Sequence, residues 1–207
     1  MPAQRPFATK GNLINTKKTL SLAKLGYELL DRKRNILIRE MMLLIDEAKS
    51  LRGAIEQTYS EAYSALQLAN ITMGVITPIA ETIPVENSVT VSLRSVMGVE
   101  LPRISMNKPD NDIRYGFQQT NSQLDKAYIA FNKAKEITCT LAQVENSVYR
   151  LAVAIRKTQR RANALKNIII PNSEETLRFI SNALEEKERE EFSRLKVIKA
   201  KKMKLKK

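Results

Sequence analysis

The chain has 207 residues, a net charge of +13, one cysteine, and neither histidine nor tryptophan. Without histidine no Ser-His or Cys-His nucleophile can be built, and the commonest metal ligand is missing. A single cysteine, Cys139, excludes an internal disulfide framework and reads as a small residue flanking a packed seam.

No GxxxxGK[ST] or GxGxxG segment is present, so phosphate cradling by a Gly-rich loop is not expected. No catalytic residue, cofactor or metal is therefore expected. The longest apolar runs, Met41 to Ile45 among them, are far too short for a membrane span. The opening Met1 to Phe7 lacks the apolar region of a secretory leader.

Residues 1–11, marked by Pro and Gly, read as a flexible N-terminal segment. Residues 12–76 carry apolar positions at alternating steps of three and four. They run Leu13, Thr16, Leu20, Ala23, Tyr27, Leu30, Arg34, Leu37, Met41, Leu44, Ala48, Leu51, Ile55, Thr58, Ala62, Ala65, Ala69, Thr72 and Ile76. That spacing is the seam of a coiled coil, and Arg34 is its only charged member. Gly26, Gly53 and Gly74 each cost about 1 kcal/mol against Ala inside a helix.

Pro78 and Pro84 end this helix and open a connection over residues 77–111. Val89, Val91 and Leu93 alternate with Thr90, Ser92 and Arg94, the pattern of a half-buried strand. Met97-Gly98 reads as a turn and Val99–Ile104 as a returning edge strand containing Pro102, giving a β-hairpin at about 86–105. Asn111 or Asp112 is expected to cap the next helix.

Residues 112–200 read as a second coiled-coil helix, about 130 Å long at 1.5 Å per residue. Its seam takes Ile113, Phe117, Leu124, Ala127, Phe131, Ala134, Ile137, Leu141, Val144, Val148, Leu151, Ile155, Ala162, Leu165 and Ile169. The two three-residue steps at Phe131–Ala134–Ile137 resemble a stammer. Pro171 should kink or briefly break the helix, with Asn172 or Ser173 as a new cap. The expected fold is mainly α: two very long helices in an antiparallel coiled coil, with a small β-hairpin in the connection.

Folding back with Thr72 level with Phe117 brings Arg34 near Ile155. It also brings Glu28 near Arg161, a candidate interhelical ion pair. The second helix then overshoots the first from about Leu177. In the overhang Glu185, Glu186, Glu188, Glu190 and Glu191 lie among Lys187, Arg189 and Arg194 at helical pairing distances. Residues 201–207 form a basic tail; Arg194–Lys207 holds eight basic residues and no acid. Charge alone would also allow a basic scaffold for nucleic acid or an acidic surface. Acids interleave with the bases along both helices, however, and no aromatic-basic interleaving suited to base stacking occurs. A hydrolase using Glu185 and Glu188 is disfavoured, since both lie on a helix expected to be exposed rather than in a cleft.

Three stretches then carry a resemblance: Arg160-Arg161-Ala162-Asn163-Ala164-Leu165, Ile170-Pro171, and the Leu184–Glu191 segment. With Thr16–Leu20, Gly26–Arg34, Leu44–Ala48 and Tyr115-Gly116-Phe117, the chain resembles the D subunit of the V/A-type ATPase or ATP synthase over nearly its whole length. It departs at Asn15, where that family often has Pro. The resemblance implies a non-catalytic central-stalk rotor subunit that couples ATP hydrolysis or synthesis to proton or sodium transport. The implied partners are the catalytic A and regulatory B subunits, the F subunit and a socket subunit on the membrane ring. The implied location is cytoplasmic and peripheral to a membrane, with no membrane insertion and no nucleic acid. Arg160, Arg161, Glu185, Glu188, Arg189 and Lys196 are the candidate head contacts; Glu28, Arg34, Ile155 and Arg161 are the candidate contacts within the coil.

Overall fold

The structure is a computed structural model that describes residues 7–85, 87–106 and 115–204. Helix α1 spans Lys10–Met73, and a short α2 spans Thr77–Ala80. Strands β1 (Val89–Val96) and β2 (Val99–Met106) form an antiparallel hairpin. After a 3-10 turn at Phe117–Gln119 come α3 (Ser122–Ala164), a π-helical turn (Leu165–Ile169) and α4 (Ile170–Lys204). The protein is thus mainly helical, two long helical segments with a two-stranded hairpin between them. The expected cap at Asn111 or Asp112 and the seam residue Ile113 lie outside the described residues. So do Met1–Pro6 and Leu205–Lys207.

The chain divides into two compact units: a central one, Asn35–Arg156, and a terminal one, Met1–Arg34 with Lys157–Lys207. In the central unit α1 and α3 run antiparallel. Arg52 pairs with Glu145 at 3.2 Å, Tyr59 shares a hydrogen bond with Thr138 at 3.0 Å, and Tyr63 meets Phe131 edge-on at 5.5 Å. Leu37, Ala62 and Ala69 on α1 are buried, as are Leu124, Ala127, Ala134, Val144 and Leu151 on α3. Burying a side chain the size of Leu37 or Leu151 stabilises by about 1.5–3 kcal/mol, while the alanines let the helix backbones approach.

The pairing differs from the expected register by one helical turn. Thr72 accepts a hydrogen bond from Asn121 at 2.8 Å instead of lying level with Phe117, which is 73% exposed. The cause is local. Gly116 and Thr120 are extended, so α3 begins at Ser122 rather than Asp112. Asn121 caps it, its Oδ1 accepting from the backbone N–H groups of Gln123 and Leu124 at 3.1 and 3.2 Å.

The hairpin turns tightly at Met97 and Gly98, whose φ values of 52° and 74° suit a two-residue loop matching the twist of the strands. Leu101 is buried against Leu37 and Leu151, with Met41, Leu44, Val96, Val99, Ala154 and Ile155 around them. Its cross-strand partner is Arg94, and Arg94 reaches Glu40 at 2.9 Å. Cross-strand partners share a face, so Thr90, Ser92 and Arg94 lie on the Leu101 side. The expectation that Val89, Val91 and Leu93 form the buried face is corrected: they are 42%, 64% and 59% exposed. The free β2 edge is tied to α3, where Gln143 Oε1 accepts from the Ile104 N–H at 2.7 Å. Arg150 donates to the Glu100 carbonyl at 3.1 Å.

In the terminal unit α1 starts with Thr9 as cap, its hydroxyl oxygen accepting from the Asn12 N–H at 3.2 Å. The pairing is again antiparallel. Lys10 meets Glu188 at 3.3 Å and Lys24 meets Glu174 at 2.8 Å. The Lys166 ammonium stands 5.9 Å from the Tyr27 ring. Leu13, Thr16, Leu20, Ala23, Tyr27, Leu30 and Arg34 are all buried or half-buried, as the seam requires. Arg34 donates to Gln159, not beside Ile155 but one turn on, at 2.9 Å. Glu28 and Arg161, expected level with each other, are both exposed. Leu165 instead lies against Gly26.

Two further expectations are corrected here. Of the kink or brief break expected at Pro171, the break is absent, and Asn172 and Ser173 lie inside α4 rather than capping it. The π turn takes up the proline: the Ile170 N–H donates to the Leu165 carbonyl, five residues back. The unpaired overhang also begins later than Leu177, because Ile180 is fully buried. Every residue from Glu185 to Met203 is exposed.

Candidate interaction surfaces

The terminal unit ends in a helical tip that is exposed from Glu185 to Met203. Phe192, Leu195, Val197, Ile198 and Met203 are between 51% and 64% exposed, on a helix whose charge from Arg194 onward is entirely positive. Lys196 lies over the Phe192 ring at 4.6 Å, a cation–π contact that covers part of the ring with its own chain. Short-range pairs keep the exposed segment helical: Arg194 with Glu190 at 3.5 Å and Arg189 with Glu185 at 3.9 Å. Pairs this exposed contribute only tenths of a kcal/mol.

Among the residues singled out from sequence, Glu185, Glu188, Arg189 and Lys196 all project from this tip or its base, and all are exposed. Glu188 also anchors Lys10. Arg160 and Arg161 are exposed on the last turns of α3, a separate location on the same unit. Arg34 and Ile155 are half-buried. Lys24 holds the Glu174 carboxyl below the usual glutamate range by hydrogen bond and charge.

The central unit presents two features that sequence reasoning missed. One is the outward apolar face of β1, whose alternation was legible but whose direction was not. The other is an apolar cavity of about 250 Å³ lined by residues such as Ile76, Ile79, Ile83, Leu124 and Phe131. At its wall Tyr115 is buried, donates to Asp125 and meets the Tyr128 ring edge-on at 5.4 Å. Burial first, then the Asp125 hydrogen bond and charge, hold the Tyr115 phenol well above the usual tyrosine range. No cluster of three metal-ligating side chains occurs among the described residues. No described helix is long and apolar enough to cross a membrane.

Antiparallel pairing of long helices, an inserted hairpin and an exposed basic helical tip define a class: a mainly helical coiled-coil protein. The family model for the ATP synthase D subunit matches residues 12–200. The chain is similar to the D subunit of the V-type ATP synthase of Thermotoga neapolitana, 46% identical over 93% of this chain and 96% of that one. It is also similar to the D subunits of the A-type ATP synthases of Thermococcus kodakarensis and Thermococcus sibiricus. These are 38% and 36% identical, each over 93% of this chain and 92% of theirs. The chain belongs to the D-subunit family of the V/A-type ATPases and ATP synthases.

Proposed function

We propose that this chain is the central-stalk rotor subunit of a V/A-type ATPase or ATP synthase. It transmits torque between the catalytic head and the membrane ion-carrying ring, coupling ATP hydrolysis or synthesis to proton or sodium transport. The chain itself performs no chemistry. It works at the cytoplasmic face, peripheral to the membrane, as part of the membrane-bound complex.

The observation that carries this reading is the exposed tip, Glu185–Met203, joined without a break to a helix packed along α1. Continuous seam packing resists twist, and an uncovered end with apolar and basic groups needs a partner around it. The tip enters the ring of alternating A and B subunits, and Arg160, Arg161, Glu185, Glu188, Arg189 and Lys196 make the head contacts. The F subunit and the socket subunit engage the central unit, where Val91, Leu93 and the apolar cavity offer surface. An asymmetric stalk favours a different head conformation at each rotational setting, a shift of populations by contact.

Truncation after Lys196 in the assembled complex tests this. Helix content is expected to fall only by the deleted turns, while ion pumping per ATP hydrolysed declines. Unchanged hydrolysis and pumping would remove the tip from the coupling path.

A further inference from the structure

The π turn does more than accommodate Pro171. In the terminal unit the inward residues run Ala162, Leu165, Ile170, Ser173, Leu177, Ile180 and Leu184, all buried or half-buried. Every step is three or four except Leu165 to Ile170, which is five. A π turn contains one residue more than the α turn it replaces, so it supplies that step. Without it, a straight α-helix leaving Leu165 would turn a different set inward: Ile169, Asn172, Thr176, Phe179 and Ala183. That set has regular three-four spacing, and its two large members, Ile169 and Phe179, are now each 41% exposed. The same stretch therefore carries two seams, one residue apart.

We propose that the π turn is a register switch, allowing α4 to dock on the first turns of α1 through either seam. Passing from one to the other slides α4 by about 1.5 Å and turns it by about 100° about its own axis, carrying the tip along. The present seam is the preferred one, since Leu177, Ile180 and Leu184 bury more apolar surface than Thr176, Phe179 and Ala183, and Asn172 would lose water. Pro171 supports it too. In a straight α-helix its ring would crowd the Asn167 carbonyl, and it has no N–H to offer that carbonyl. Packed interfaces of this kind occupy discrete settings rather than deforming smoothly. That the switch gives a stalk torsional play at its head end rests on the function proposed above; the switch itself does not.

Disulfide trapping in the full-length chain tests it, in a Cys139→Ser background. The Lys24 ammonium and the Glu174 carboxylate meet at 2.8 Å, which places the two positions opposite each other across the pair, so Lys24→Cys with Glu174→Cys reports the present seam. Lys24→Cys with Ser173→Cys reports the shifted one. In a glutathione buffer both pairs are expected to bridge, the shifted pair about tenfold more slowly. Deleting Ile168 together with Pro171→Ala, which spares the straight helix the proline, removes the extra residue and locks the present phase, so the 24–174 bridge persists and the 24–173 bridge is lost. Pro171→Ala relieves the turn and is expected to raise 24–173 bridging about tenfold. Failure of 24–173 to bridge even with Pro171→Ala overturns the proposal. So does 24–173 bridging that continues undiminished after Ile168 is deleted, which would be proximity alone. Because the isolated chain is used, neither result depends on its assembly into an ATPase.

Discussion

Arg34 donates one guanidinium N–H to Gln159 Oε1 at 2.9 Å and pairs through the other nitrogen with Asp31 at 2.7 Å. The charged member of the α1 seam is thus half-buried but answered, both across the coil and along its own helix. Attraction recovered this way roughly offsets the water lost by the charge, so little net stability is expected from it. Replacing the pair together, Arg34→Leu with Asp31→Ala, is expected to change the urea unfolding free energy by less than about 1 kcal/mol. Gln159 keeps its hydrogen bond to Asn163 in that variant. A loss near 3 kcal/mol would make Arg34 a structural requirement instead.

Leu151 is fully buried against Leu37 and Leu101, where α1, α3 and the hairpin meet. Leu151→Ala removes packing from all three and is expected to cost about 2–5 kcal/mol. Leu43 is 68% exposed, and Leu43→Ala is expected to stay within about 0.5 kcal/mol. Urea denaturation of the two variants, followed by circular dichroism, separates these outcomes; similar losses would contradict the packing described.

A methyl group added at Gly26 would stand 3.7 Å from Leu165 Cδ1, an ordinary contact, and one at Gly53 would meet nothing within 4 Å. Neither glycine is held by sterics, and both lie inside α1. Gly26→Ala and Gly53→Ala are each expected to stabilise the chain by about 0.5–1 kcal/mol. A higher unfolding midpoint with an unchanged denaturant slope would register this.

Tyr115 titrates above its ordinary range because its neutral phenol is buried and donates to Asp125. A folded-state pKa raised above the unfolded value contributes stability fully below about pH 10. That contribution is lost as pH rises through the folded-state value. Tyr115→Phe is expected to cost about 1 kcal/mol between pH 7 and 9. The gap between variant and parent should narrow above about pH 10, as the unfolded phenol ionises. Unfolding free energies measured across that range check the sign; a gap that widens would be inconsistent with it.

The seams were legible because three-four spacing recurs over many turns, and burial follows it from Leu13 to Ala69. The register was not, since it depends on where α3 starts. The extended Gly116 and Thr120 and the cap at Asn121 decide that locally, with no trace in the apolar pattern. The hairpin was readable as alternation, but alternation does not say which face turns inward; Leu101 on β2 decided it. The one-residue step at the π turn was hidden by Ile168-Ile169-Ile170, three apolar residues in a row that fit either phase. The candidate contact residues Arg160, Arg161, Glu185, Glu188, Arg189 and Lys196 were legible as exposed, charged positions. What each one meets is a property of another surface, which this chain does not encode.

The π turn also bears on how such a chain can lengthen or shorten over generations. Heptad packing rejects the gain or loss of a single residue, because every position beyond it would face the wrong way. Here one surplus residue has been absorbed in a single widened turn, leaving the hydrophobic phase intact on both sides. Point insertions and deletions in the lineage should therefore gather at this turn and in the hairpin-bearing connection, while the rest of the coil keeps constant length.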